Sequence, residues 1–162
     1  MRIGIIGSGN VGGALTHCLR ALGHDVAVAN SRGAASLASL ANETGARAVA
    51  VEDVAKGRDF VVVAIPLCRI PELRYDVLAD LPVVIDTSNY YPRQRDGLIA
   101  EIEGGVPESR WVEQHLRRPV IKAFNPILAI ICATRVCQQA LLAGSRWRSQ
   151  ATNLRRKRWP WA

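Results

Sequence analysis

No stretch of this 162-residue chain approaches the roughly 18 consecutive uncharged apolar residues that a membrane span requires. The first apolar run, Ile3 to Ile6, breaks at once into Gly7-Ser8-Gly9-Asn10, so it is not the core of a secretion signal. The four cysteines (Cys18, Cys68, Cys132, Cys137) lack metal-site spacing. With no export signal they read as reduced thiols, which suggests a cytoplasmic protein. His17, His24 and His115 are scattered without partners, and each reads as a surface or structural residue. No Ser–His–Asp arrangement, metal motif or carboxylate pair stands out. Internal repeats are missing as well. What remains is an ordinary globular composition, 49% apolar and 22% charged. It argues against disorder, a collagen-like repeat or a coiled coil. The length suits about one domain.

Charge divides the chain. The net charge is +7. Residues 1–129 hold 14 basic and 14 acidic side chains and are neutral, whereas residues 130–162 hold seven basic side chains and no acidic one. Three of the four tryptophans (Trp147, Trp159, Trp161) lie in that last stretch. A shift this sharp marks a boundary. The high isoelectric point is therefore a property of the tail, and a nucleic-acid partner does not follow from it for the domain.

Within residues 1–129 apolar runs alternate with helical spacing. Arg2–Ile6 reads as a buried strand, and Val11–Leu22 as a helix with Val11, Ala14, Leu15, Cys18, Leu19 and Leu22 on one face. Gly23-His24 ends that helix. Further strands are expected at Asp25–Asn30, Ala46–Val51, Phe60–Ile65, Val83–Ile85 and Val120–Phe124. Helices are expected at Ala34–Asn42, Glu52–Lys56 and Ser109–His115. This alternation predicts an α/β fold, a doubly wound parallel sheet with helices on both faces.

Gly7-Ser8-Gly9-Asn10-Val11-Gly12 fits G-x-G-x-x-G between a strand and a helix, the context that a dinucleotide site needs. Gly7 makes the tight turn, Gly9 admits a pyrophosphate to the backbone, and Gly12 allows close helix packing. The helix N-terminus offers free N–H groups and a positive dipole end. The blander reading is a tight turn with no ligand. An NAD site places a carboxylate about 20 residues after this loop, on the ribose 2′-OH. That place reads Asn30-Ser31-Arg32-Gly33, with no carboxylate. Ser31 can donate a hydrogen bond to a 2′-phosphate, and the Arg32 guanidinium matches its shape, which favours NADP over NAD. Otherwise Ser31 is a turn residue and Arg32 a solvated surface cation.

In open α/β sheets ligands lie outside the carboxyl ends of the strands. Ile65 and Pro66 stand at one such end and could line the pyrophosphate–ribose path, or Pro66 merely stops the strand. Asn89 belongs to a second, hydrogen-bonding end, Asp86-Thr87-Ser88-Asn89-Tyr90. Phe124 and Asn125 stand at a third, where they could flank a nicotinamide or serve as core and turn residues.

These stretches together resemble the coenzyme F420-dependent NADP oxidoreductases. The glycine loop, Asn30-Ser31-Arg32-Gly33, Val62-Val63-Ala64-Ile65-Pro66, Asp86-Thr87-Ser88-Asn89-Tyr90-Tyr91 and Val120-Ile121-Lys122-Ala123-Phe124-Asn125 occur in family order. The resemblance implies a Rossmann domain over residues 1–129 that binds NADP(H). It also implies hydride transfer between NADP(H) and a second redox carrier, coenzyme F420 or a flavin, with positioning as the protein's main contribution. The family's glycine-loop role maps onto Gly7, Ser8, Gly9, Asn10 and Val11, and its phosphate-selecting role onto Ser31 and Arg32. The resemblance leaves room for a homodimer in the full-length family. Pyrroline-carboxylate-reductase-like imine reduction and NADP binding without turnover are the alternatives.

After residue 129 the family's pattern stops. Shifted by one base, with wobble positions chosen freely, the stretch from Ile130 can read His-Leu-Arg-Asn-Pro-Gly-Leu-Pro-Ala-Gly-Ser-Ala-Gly-Arg and later Leu-Ala-Val-Ala-Gly-Asp-Glu. That is a continuation of the family's kind. The expectation is a change of reading frame near residues 129–131, which makes 130–162 a non-native or poorly ordered tail and leaves the sheet incomplete at its C-terminal end. The alternative is a genuine basic tail for nucleic acid or an anionic membrane. The tail has no clear helical apolar face to support a membrane anchor.

Overall fold

Six segments pair side by side; the inner four are apolar and mostly buried on both faces, and the two outer ones are short and partly exposed. The six are β1 (Arg2–Ile6), β2 (Asp25–Ala29), β3 (Arg47–Ala48), β4 (Phe60–Val63), β5 (Val84–Asp86) and β6 (Ile121–Lys122). All pairs are parallel, in the order β3-β2-β1-β4-β5-β6. The helices are α1 (Asn10–Ala21), α2 (Ala38–Thr44), α3 (Ala100–Glu103) and α4 (Glu108–Leu116). This is the Rossmann-type doubly wound order, with the direction of winding reversed between β1 and β4. The computed structural model describes residues 1–124, so the expectations for Asn125 and for the segment 130–162 lie outside the described residues.

Side-chain alternation along the strands makes two cores. Ile3, Ile5, Val26, Val28 and Val62 meet Leu37 and the flank of α1 on one face. Ile6, Ala29, Val61, Val63 and Val84 meet Leu67, Ile70, Leu78 and the α4 residues Trp111, Val112 and Leu116 on the other. The register Ile85↔Ile121 puts Ile121 beside Ile85 on the first face, and there Ile121 is 56% exposed. Among the described residues the sheet is thus fully covered on one face and only partly on the other, which leaves the fold incomplete at β5–β6.

Several boundaries differ from the sequence reading. The strand expected at Ala46–Val51 pairs only at Arg47 and Ala48, because it lies at the sheet edge with one neighbour and Val51 already starts a 3₁₀ turn. That turn, Val51–Asp53, replaces the helix expected at Glu52–Lys56. The helix expected at Ala34–Asn42 opens as a 3₁₀ turn, Ala34–Leu37, before α2. Phe124 does not extend the last strand, since its φ of 65° lies in the left-handed region. The connection from β4 to β5 contains two 3₁₀ segments, Leu67–Glu72 and Tyr75–Leu78. Leu67, Ile70 and Leu73 recur every three residues, the 3₁₀ period, so all three point into one core. Pro71 removes an N–H that an α-helix there would need. Among the described residues no helix is long and apolar enough to cross a membrane, and no cluster of acidic, His and Cys side chains could hold a metal.

Candidate functional site: the cleft at the switch point

Where β1 and β4 diverge, a cleft of about 470 Å³ opens at the carboxyl edge of the sheet. Its floor is the turn from β1 into α1. Gly7 donates its N–H to Ala29 O at 2.8 Å, and Ala64 N donates to Ile6 O at 2.8 Å, so both neighbouring strands hold the loop. Gly7 has φ +108°, and a Cβ on it would lie 2.2 Å from Ala64 O. A Cβ on Gly12 would lie 1.9 Å from Gly7 O. Both glycines are therefore demanded by the protein's own packing. Gly9 is different. It is the N-cap of α1 in extended backbone, φ −74°, and an added Cβ would meet nothing within 4 Å. Neither strain nor packing asks for glycine there, and the space above it belongs to the cleft.

The electrostatics of this floor are positive. No acidic side chain occupies the first turn of α1, and no side chain caps it. Its leading N–H groups have no partner within the helix. Arg32 lies on the cleft wall, exposed, and makes no ion pair among the described residues. Asn30 is only 9% exposed and joins the two walls. Its Nδ2 donates to Ser8 Oγ at 3.0 Å, and its Oδ1 accepts the N–H of Arg32 at 3.0 Å. This arrangement suits an elongated phosphate-bearing ligand: donors line the floor, Arg32 stands at the wall without an ion pair among the described residues, and apolar Ile6, Val51 and Leu73 lie alongside.

The structure gathers Gly7, Ser8, Gly9, Ser31, Arg32, Ile65 and Pro66 around this one cleft. Asn10, Val11 and Gly12 follow directly as the first turn of α1. Asn89 and Phe124 are not among the cleft-lining residues. The Oδ1 of Asn89 is buried without a hydrogen-bond partner among the described residues, as is Ser88 Oγ. Two contributors escaped the sequence reading. Arg69, on the segment after β4, lines the cleft and pairs with Glu72 at 2.7 Å. Asn30 supplies the bridge just described; its signal was its place, where an NAD site carries its carboxylate.

Nucleophilic and general-base chemistry finds little support nearby. Burial, followed by hydrogen bonding to Asp96, pushes the Cys68 thiol up from its ordinary value, opposite to an activated thiolate. His115 stacks on Trp111 at 4.0 Å, with Nδ1 2.8 Å from Trp111 O, and His17 stands 3.7 Å from Glu43 on the surface.

The sequence matches the family described as NADP oxidoreductase, coenzyme F420-dependent, over residues 2–90, more than half of the chain. The chain belongs to this family. No curated protein matches it. Among solved structures it is similar to a hypothetical protein of Sinorhizobium meliloti, with TM-score 0.71 and 29% identity, covering 83% of this chain and 66% of that one. A candidate F420-dependent NADP-reductase from Arthrobacter sp. FB24 follows at TM-score 0.66 and 21% identity, covering 81% and 65%. An imine reductase from Bacillus cereus shares the fold at TM-score 0.52 and 18% identity, covering 75% and 38%. The chain spans about two thirds of the length of the first two of these relatives. The glycine loop, the segment after β2 and the strand end at Ala64 all lie inside the family match.

Proposed function

We propose that this cleft binds NADP(H) and serves an oxidoreductase that passes hydride between NADP(H) and a deazaflavin such as coenzyme F420. The observation that carries the proposal is Gly9: a glycine that neither backbone strain nor packing demands, open toward the cleft, on the N-terminus of α1. A pyrophosphate approaching the backbone supplies the missing reason for it. The residues present fit such a cofactor. The α1 N-terminus and Ser8 would hold the pyrophosphate, Ser31 and Arg32 the 2′-phosphate, and Ile65 and Pro66 would border the path between them. When bound, NADPH supplies the hydride. The chain contributes binding and orientation, in keeping with a site that holds no activated nucleophile.

The second reading, cofactor binding without turnover, is favoured by the uncovered Ile121 at the end of the described sheet. We also infer that the segment after residue 129 is read out of frame. Coding DNA across codons 120–162 tests that: a shifted frame bearing the Gly/Pro continuation supports it, and a shifted frame that soon stops overturns it.

Titration of the 162-residue chain with NADP⁺ and NAD⁺ tests the cofactor. Arg32→Ala is expected to weaken NADP⁺ about tenfold or more and NAD⁺ less than about twofold, the loss of one charge-assisted contact. Equal weakening refutes the assignment. Gly9→Ala is expected to lose both cofactors while lowering the melting temperature only by the cost of a poorer N-cap, whereas Gly12→Ala, which meets Gly7 O, lowers it much further. A hydride-transfer assay with NADPH against F420, a flavin and a cyclic imine then separates the deazaflavin reductase from the imine reductase and from the binding module.

A further inference from the structure

Asn30 has more hydrogen-bond duties than a turn residue needs. Its backbone follows β2, and its side chain is almost wholly enclosed. The N–H of Arg32 can only donate, so the amide atom facing it, 3.0 Å away, is the oxygen Oδ1. That fixes the orientation of the amide. Nδ2 then faces Ser8 Oγ and Ser36 Oγ, each at 3.0 Å. Ser36 Oγ in turn reaches Gly33 O at 2.8 Å. One side chain thus ties the glycine loop to the turn carrying Ser31 and Arg32, across 22 residues of sequence.

The chemistry at Ser8 follows from the orientation. A hydroxyl that accepts the Asn30 N–H keeps its own proton for another acceptor. Ser8 lines the cleft, so that proton is free for an anion there. An aspartate at position 30 would reverse this. The Ser8 proton would turn to the carboxylate, and a negative charge would stand between the two phosphate sites.

We propose that Asn30 is the positioning and specificity-determining residue of the cleft. Its amide holds the Ser31–Arg32 turn in the shape that reads a 2′-phosphate and presents Ser8 as a donor. This rests on the NADP(H) reading above and adds a residue that touches no cofactor in that reading. Asn30 acts through Arg32, and so the two cannot contribute independently.

The test is a double-mutant cycle on the full chain, with dissociation constants for NADP⁺ and NAD⁺ and a melting curve for each variant. Asn30→Ala should lower the preference for NADP⁺ over NAD⁺ about tenfold. In an Arg32→Ala background the same change should move that preference less than twofold. Asn30→Asp should weaken NADP⁺ further than Asn30→Ala. An equal loss for both cofactors, or a loss undiminished in the Arg32→Ala background, overturns the proposal and leaves Asn30 a structural residue. If Asn30→Ala does not fold, Ser36→Ala takes its place, because Ser36 is exposed and supports the amide from outside. A loss of preference of about threefold then supports the proposal, and an unchanged preference overturns it. Failure of the wild type to bind either dinucleotide is a different result: it removes the NADP(H) reading itself, and the proposal with it.

Discussion

Two carboxyl ends of the same sheet carry cations in opposite ways. At the end of β2, Arg32 stands exposed without an ion pair among the described residues, beside an uncapped helix N-terminus. At the end of β5 and β6, Lys122 spends its three N–H groups on protein oxygens. They reach Asp86 Oδ2 at 3.0 Å, Glu108 Oε2 at 3.4 Å and the carbonyl of Ser88. Asp86 is fully buried there, and its other oxygen accepts the Ser88 N–H at 2.9 Å. Geometry, more than residue type, separates a site from a strut. A cation whose donors are all answered within the chain holds the fold, while one left unanswered on a cleft wall is available to an anion.

Breaking the strut should have the largest effect. Lys122→Met leaves the Asp86 carboxylate buried and uncompensated, and a loss of about 3–5 kcal/mol in denaturant unfolding is expected. A change below about 1 kcal/mol would show that the two ends do not differ as described. Next come the two faces of the sheet. Leu116→Ala empties a fully buried position on the inner face of α4 and should cost about 3 kcal/mol. Ile121→Ala, on the partly covered face, should cost less than about 0.5 kcal/mol. Equal costs would mean that Ile121 has a cover outside the described residues.

A smaller effect concerns pH. Asp96 is enclosed against the segment that follows β4 and accepts N–H groups from Tyr91 at 2.7 Å and Cys68 at 3.3 Å. Burial alone would raise its carboxyl, but hydrogen bonds from Arg95, Tyr91 and Cys68 outweigh it and hold the group below its ordinary 3.8. A depressed folded-state value stabilises fully above the unfolded value and is lost as the pH falls through the folded one. Melting temperature should therefore fall on acidification below about pH 4, and less steeply in Asp96→Asn. An identical acid profile in both proteins would refute the assignment. Smallest of all, Arg32→Ala should change stability by no more than about 0.5 kcal/mol, whatever it does to NADP⁺. A marked destabilisation would make Arg32 a strut as well.

Much of this was legible beforehand for identifiable reasons. β1, β4 and α1 announce themselves through continuous apolar runs and helical spacing, which act over a few neighbours. The glycine loop was legible because its G-x-G-x-x-G spacing lies within six residues, between an apolar run and helical spacing. The connection between β4 and β5 was not, since its three-residue spacing of Leu67, Ile70 and Leu73 acquires meaning only against the core that receives it. The strand expected to reach Phe124 stopped short, because pairing with β5 ends at Lys122. Asn30 was visible as the absence of a carboxylate, but its bridge to Ser8 joins residues that only the fold brings within 3.0 Å.

Sequence alone settled the alternation of strands and helices, the place of the dinucleotide-type loop and the lack of a carboxylate after β2, because each depends on short-range patterning and side-chain chemistry. Tertiary structure alone decided that Gly9 opens on a cleft while Gly7 and Gly12 are pressed against backbone. It also decided that Lys122 is neutralised while Arg32 stands without an ion pair, because a side chain's availability is set by neighbours far away in the chain.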